Sequence, residues 1–201
     1  QEISKYPNFH LITLERSGEY HSSYCFNTGI CQSQGELIIV PDADVVVEFN
    51  FLEKVWQEHQ KNENLVMYLY RYNEPQEEHV PEVNLQHLKQ VCKMTNPYNY
   101  GGCLTVRRKW LLEINGYEQH PIFGTGFHAN GKDIYIRFKN LGLHVMWHPQ
   151  LKIYHPWHPS TLVSASIYKL QHLMIEYREK NLITLPFCGI QSERNIEIPS
   201  N

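Results

Sequence analysis

A short apolar run followed by two aspartates constrains this chain more than any other feature. Residues 36–40 (Glu-Leu-Ile-Ile-Val) are bounded by glycine and proline, which is typical of a central parallel strand buried on both faces. Asp42 and Asp44 follow at once, although 18 of the 21 acidic residues are Glu and the third Asp is Asp133. Because open α/β sheets bind ligands at the carboxyl ends of their strands, we expect both carboxylates at the mouth of a site.

The apolar pattern alternates between strands and helices, which predicts an α/β fold with a single domain over residues 1–201. Predicted strands cover residues 8–13, 36–40, 65–70, 101–106, 144–147 and 151–154. Predicted helices cover residues 22–34, 51–60, 109–114, 132–140 and 164–180. Residues 73–97 are polar and contain prolines, which predicts a surface excursion with one short helix near 84–92. Residues 160–201 are expected to form a C-terminal helix and tail.

Composition limits which partners and which cellular compartment are expected for this chain. A net charge of −3 gives no electrostatic reason to expect a nucleic acid. No apolar run approaches the roughly 20 residues that a membrane-spanning helix needs. The five cysteines are odd in number and form no CxxC pair, which favours reduced thiols and a cytoplasmic location.

The aspartate pair has the chemistry of a cation site. Two carboxylates two residues apart in an extended turn can bind a divalent cation, and that cation can hold a diphosphate. The alternative is that Asp42 and Asp44 only cap the following turn or helix, because a three-residue pattern of this kind also occurs by chance.

Two further segments carry polar groups that could contribute to a site. His155 and His158 end another predicted strand, and Mn²⁺ accepts imidazole together with carboxylate ligands. The alternative for each histidine is an ordinary surface or hydrogen-bonded role. Residues 124–133 form a glycine-rich loop that leads into a helix, where exposed backbone amides suit a phosphate or a sugar hydroxyl.

The order and spacing of these pieces resemble the nucleotide-sugar glycosyltransferases of the GT-A fold. The resemblance is to family 2 and its relatives, the polypeptide N-acetylgalactosaminyltransferases and the β-1,4-galactosyltransferases. The matching stretches are residues 27–29 with 35–44, 101–117, 126–133 and 153–158. The resemblance implies a Rossmann-like, mixed and mostly parallel sheet flanked by helices. It also implies a nucleotide-sugar donor, with UDP as the expected nucleotide, a glycan or other hydroxyl acceptor, and Mn²⁺ or Mg²⁺ as cofactor.

The resemblance assigns roles to the polar residues at the strand ends. Asp42 and Asp44 correspond to the motif that binds the metal and the nucleotide diphosphate, with Asp44 as the more direct ligand. His155 corresponds to the downstream histidine that completes the metal site, and His158 is the alternate ligand.

The remaining assignments include one departure from the family pattern. Gly101 and Gly102 correspond to glycines that leave room for the donor sugar. Asp133 corresponds to the last acid of the signature Gly-Trp-Gly-Gly-Glu-Asp-x-Asp. In that alignment Asn130 and Gly131 replace the Glu-Asp pair that supplies the general base in inverting relatives, and neither residue type can act as a base. Asn130 stays a candidate for donor binding.

Three interpretations of this departure are open. His128 or Asp133 could serve as the catalytic base, or the enzyme could retain the anomeric configuration and need no base there. The third is a non-catalytic sugar-nucleotide or glycan-binding module of a larger glycosyltransferase. The strand, helix and strand with which relatives begin also have no counterpart, so an N-terminal part is expected to be missing. Aromatic and amide groups that could contact a sugar ring or acceptor are Tyr98, Asn99, Tyr100 and Trp157.

Overall fold

The computed structural model describes residues 6, 8–17, 20–124, 129–159 and 167–190. The helices are α1 (Ser22–Gln32), α2 (Phe51–Lys61), α3 (Leu85–Val91), α4 (Arg108–Glu113), α5 (Ala129–Asn140) and α6 (Tyr168–Lys180). The strands are β1 (Leu37–Pro41), β2 (Leu65–Asn73), β3 (Cys103–Arg107) and β4 (His144–His155). Short 3₁₀ turns lie at Gln76–Glu78 and Pro121–Phe123. None of the described helices combines the length and the hydropathy that crossing a bilayer requires.

The strands form one mixed sheet in the order β1-β3-β2-β4. Strand β3 is antiparallel to both β1 and β2, whereas β2 and β4 are parallel. The prediction of a mostly parallel sheet is therefore wrong, because β3 lies between two strands that run opposite to it. Strands β1, β2 and β4 still share one direction, so their carboxyl ends meet the amino end of β3 at a single edge of the sheet.

The strands that are buried on both faces are β2 and β3, and not β1 as predicted. In β2, Val66 and Tyr68 pack with Ile134 and Phe138 in the core on one face. Leu65, Met67 and Leu69 pack on the other face with α2 through Phe51 and Val55. Strand β1 is at the edge of the described sheet, and four of its five residues retain some exposure. Strands β1 and β2 are both continuous apolar runs, so periodicity alone did not separate a central strand from an edge strand.

Two other strand predictions also need correction. Residues 8–13 form no strand and are exposed, with Leu11 80% exposed. Residues 144–147 and 151–154 belong to one strand, β4, whose register against β2 shifts between Leu69 and Tyr70. Pro149 lies at that irregularity and has no N–H to donate, which explains why the sequence pattern is interrupted there.

A buried network of four charged side chains joins α5 to α6. Arg137 Nε donates to Asp133 Oδ2 at 2.8 Å, and Arg178 donates to the other Asp133 oxygen and to Glu118. All four side chains are at most 1% exposed. Glu118 also accepts from the backbone N–H groups of Phe187, Cys188 and His120. Each buried charge therefore has an opposite charge and hydrogen bonds, which is the condition for tolerating it in a core.

We predict that Asp133→Asn lowers the free energy of unfolding by about 3–5 kcal/mol, because it leaves Arg137 and Arg178 short of a buried counter-charge. Urea unfolding measures this change. Glu179→Gln is the control, since Glu179 is exposed and lies 3.9 Å from Lys139, and it should change the free energy by less than about 0.5 kcal/mol. A stable Asp133→Asn protein that had lost only activity would restore the predicted role as a base.

A second prediction concerns His59, which is fully buried on α2 with Nε2 2.8 Å from Thr105 Oγ1. Burial lowers the pKa of His59 from 6.5 to about 4, and only the Glu58 carboxylate opposes this. The unfolded chain therefore takes up this proton near pH 6.5 and the folded chain only near pH 4. Protonation of His59 should therefore lower the free energy of unfolding by up to about 3 kcal/mol as the pH falls from 6.5 to about 4.

The pH dependence can be measured by urea unfolding between pH 7 and pH 4. His59→Gln should show a shallower dependence than the unmodified chain, because Gln does not titrate. Equal slopes for the two proteins would assign the dependence to other groups.

Candidate active site

The candidate site lies where the carboxyl ends of β1, β2 and β4 meet the amino end of β3. The backbone of Asp42 donates to Gly102 O at 3.0 Å, which joins the end of β1 to the start of β3. Val46 and Tyr154 exchange two backbone hydrogen bonds of 2.7 and 2.9 Å, which holds the segment after β1 against the end of β4. This pairing places Asp44 beside His155, although the two residues are far apart in sequence.

Three of the four predicted metal ligands converge at this edge. Asp44 Oδ2 lies 3.3 Å from His155 Nε2 and 3.0 Å from His158 Nε2, and the two ring nitrogens are 3.3 Å apart. One carboxylate oxygen and two imidazole nitrogens all lie within 4.8 Å of one another. This donor set fits Mn²⁺, which accepts oxygen and imidazole ligands together. Burial lowers the pKa of His155, and the nearby Arg71 adds to the effect, so the neutral ring that coordinates metals is favoured.

The fourth predicted ligand, Asp42, lies outside this group among the described residues. Its Oδ2 accepts from Arg71 Nη1 at 3.0 Å. Partial burial raises the pKa of the Asp42 carboxyl, and the guanidinium of Arg71 opposes that shift. Asp42 and Asp44 therefore have different partners, a guanidinium for the first and two imidazoles for the second.

Glu74 supports the segment that carries the two histidines. Its backbone N–H donates to His155 O at 2.9 Å, and its Oε2 accepts from Trp157 N at 2.9 Å. The carboxylate is 1% exposed and is also contacted by His79 Nδ1 at 2.8 Å and His87 Nε2 at 3.2 Å. Burial alone would raise the pKa of Glu74, but the hydrogen bonds from His79 and from the Trp157 N–H outweigh it and lower the pKa. A charged carboxylate thus fixes the backbone between His155 and His158.

The two predicted donor-site glycines differ in their surroundings. A Cβ at Gly102 would lie 3.3 Å from both Ile153 Cδ1 and Asn99 Nδ2, so the chain itself packs closely there. A Cβ at Gly101 would have Asn99 Oδ1 as its nearest neighbour, at 3.7 Å, and Gly101 is exposed at the edge of a cleft beside Asp42. Only Gly101 therefore has an open side.

The residues at the family's general-base positions have structural contacts. Asn130 is buried and its Nδ2 donates to Ser22 Oγ at 3.1 Å. A Cβ at Gly131 would lie 2.6 Å from the carbonyl oxygen of Tyr100, so close packing of α5 against that backbone leaves no space for a carboxylate side chain. Asp133 is fully enclosed by the two arginines of the buried network, and this geometry does not support its predicted role as a base. His128 lies outside the described residues.

Arg71 and Glu74 are the site residues that the sequence analysis missed. The predicted strand stopped at residue 70 and residues 73–97 were assigned to the surface, whereas β2 continues to Asn73 and Glu74 is buried. The available signal was positional: polar residues directly follow an apolar strand, as Asp42 and Asp44 do. Because parallel strands end at one edge, the same reasoning applied to β2 would have found both.

Comparison with protein families gives a match over the first part of the chain. The model of the family described as Glycosyl transferase family 2 matches residues 1–114 of this 201-residue chain. The matched segment contains Asp42, Asp44, Arg71, Glu74 and both glycines, and it ends before the two histidines. No curated protein matches the chain. Since the matched segment is more than half of the chain, the chain belongs to glycosyl transferase family 2.

Proposed function

We propose that this protein transfers a sugar from a nucleotide-diphosphate donor to an acceptor hydroxyl, with Mn²⁺ or Mg²⁺ held by Asp44, His155 and His158 and with UDP as the nucleotide. The observation that carries the proposal is the convergence of one carboxylate and two imidazoles beside the Asp42–Arg71 pair. Family membership supports the class of reaction, because glycosyltransferases of this family act on nucleotide sugars and acceptors.

The polar residues would have different roles in binding the donor. Asp44, His155 and His158 hold the cation, and a bound divalent cation supplies positive charge that stabilises the leaving diphosphate. Arg71 adds a guanidinium close to the same site, where it can contact a phosphate oxygen while Asp42 keeps it oriented. The carboxylate of Asp42 is left with one oxygen to accept from a hydroxyl of the donor.

Glu74 would help to hold His155 and His158 in position before the metal binds. His155 and His158 are on a segment without helix or strand structure beyond residue 155, so backbone fixation determines where the second imidazole lies. Glu74 contributes that fixation through two hydrogen bonds, and outer partners of this kind contribute strongly to metal affinity.

We predict that Asp44→Asn abolishes binding of UDP in the presence of Mn²⁺, because a neutral amide is a poor ligand and removes the only carboxylate in the group. Thermal unfolding of the unmodified chain should shift upward by roughly 5–10 °C with saturating Mn²⁺ and UDP, since the complex forms only with the folded state. The variant should show no shift.

Glu48→Gln is the matched control, since Glu48 is four residues further on and pairs with Lys54 and Lys89 outside the ligand group. It should keep the full shift. If Asp44→Asn showed the same shift in unfolding temperature as the unmodified chain, the assignment of Asp44 as a metal ligand would be wrong. Slow release of UDP from a UDP-sugar, stopped by a chelator, would separate an enzyme from a module that only binds.

A further prediction concerns Glu74→Gln, which replaces one carboxylate oxygen by an NH₂ group that cannot accept from Trp157 or His79. The expected result is Mn²⁺ affinity reduced by roughly 10–100-fold, because the segment between the two histidines loses its anchor. Electron paramagnetic resonance of free Mn²⁺ in the presence of UDP measures this affinity.

Glu78→Gln is the control for that experiment, because Glu78 is four residues after Glu74, on the turn Gln76–Glu78, and is exposed. It should leave the affinity unchanged. The unfolding temperature without Mn²⁺ is measured in parallel, and a loss of affinity that only follows global destabilisation would contradict the positioning role of Glu74.

A further inference from the structure

A cleft of about 320 Å³ extends from the Asp42–Arg71 pair toward the two C-terminal helices. One wall is made by the strand ends through Asp42, Arg71 and Gly101, which the proposed function assigns to the donor. The opposite wall is made by α5 and α6 through Lys132, Tyr168 and His172. The proposed donor contacts therefore account for only one wall of the cleft, and the wall made by α5 and α6 has no assigned ligand.

Unpartnered polar atoms belong to residues on both walls. Arg71 Nε, Asn99 Nδ2 and His172 Nε2 are shielded from solvent and have no hydrogen-bond partner in the described part of the chain. The Asn99 amide is oriented by Gly101 N–H, which donates to its Oδ1 at 3.2 Å, so its NH₂ group is the unpaired end. Because buried polar groups are nearly always paired, the two donors among them, Arg71 Nε and Asn99 Nδ2, indicate a ligand with acceptor oxygens.

The helical wall contributes one cation, Lys132, to the cleft. Arg71 is paired with Asp42, whereas Lys132 has no carboxylate within 4.0 Å among the described residues. Burial lowers the pKa of His172 and the positive charge of Lys132 adds to the effect, with only Glu176 opposing it. Lys132 is thus a cation without a carboxylate at ion-pair distance among the described residues, and it lines a partly enclosed space, which favours an anionic group in the ligand.

Exposed aromatic rings line the same cleft. Tyr98 is 64% exposed and Tyr168 is 46% exposed, and both line the cleft. Rings of this kind pack against the apolar face of a sugar while their hydroxyls bond to its oxygens. Aromatic rings, unpaired hydrogen-bond donors and the Lys132 ammonium group together fit an acidic sugar better than a neutral one.

We propose that this cleft binds the acceptor, and that the acceptor is a sugar with a carboxylate paired to Lys132. The proposal rests on the proposed function, because it takes the Asp42 side of the cleft as occupied by the donor. A carboxylate could reach the cleft on the acceptor or on the sugar of the donor, and the geometry favours the acceptor since Lys132 is on the wall away from the donor residues.

The test uses two acidic tetrasaccharides, tetragalacturonate and a glucuronate-containing hyaluronan fragment, each with its methyl ester as the neutral counterpart. Calorimetric titrations are made with Mn²⁺ and UDP present. At least one acid should bind roughly tenfold more tightly than its ester, as expected for a charge-assisted contact. Lys132→Gln should remove that difference.

Lys139→Gln is the matched control, because Lys139 is on the same helix but exposed and near Glu179. It should preserve the preference for the acid. Equal binding of acids and esters, or no binding of either, would overturn the acceptor proposal. Binding of Mn²⁺ and UDP is followed separately, so its loss in the unmodified chain would overturn the proposed function instead.

A third arm compares UDP-glucuronate with UDP-glucose. If Lys132→Gln weakened only UDP-glucuronate, the carboxylate would belong to the donor sugar and the assignment to the acceptor would be wrong. Equal effects of the substitution on both donors, with the acid preference lost among the tetrasaccharides, would support the acceptor.

Discussion

The parallel pairing of β2 with β4 is the constraint on which the rest of the site depends. It continues from Leu65 and His144 to Asn73 and His155, so both strands end together. The hydrogen bonds between Val46 and Tyr154 then add the segment after β1 to the same edge. Asp44, Glu74 and His155 come from three separate parts of the chain, and this backbone pairing brings both Asp44 and Glu74 within hydrogen-bond distance of His155.

The sequence predicted the positions of most elements and drew attention to three polar residues that the structure brings together, because both depend on local patterns. Apolar periodicity located α2, α4, α5, β2 and β3 to within a few residues, and residue chemistry picked out Asp44, His155 and His158. The direction of β3 was not predictable, since antiparallel and parallel neighbours have the same apolar pattern. The strand-end position of Glu74 was missed because the predicted strand ended three residues before β2 does. The burial of Glu74 follows from contacts with His79, His87 and Trp157 that sequence spacing does not contain.

The three aspartates show why this residue type is used so sparingly. Each has positively charged or imidazole partners: Arg71 for Asp42, the two histidines for Asp44, and two arginines for Asp133. A short side chain keeps the carboxylate close to the backbone that positions it and loses less conformational entropy than Glu. The selective use of Asp therefore did mark structurally important positions, but only two of them are at the strand-end edge.

The balance of charge at the site is compatible with the proposed binding of a cation together with a diphosphate. Asp44 is the only carboxylate in the ligand group, and the charge of Asp42 is offset by Arg71, so the protein alone supplies little negative charge to a divalent ion. A diphosphate brings the missing anionic oxygens, and Arg71 contributes a further positive charge beside it. Under the proposed function, each ligand would supply what the other lacks, and tight binding of either one would depend on the presence of both.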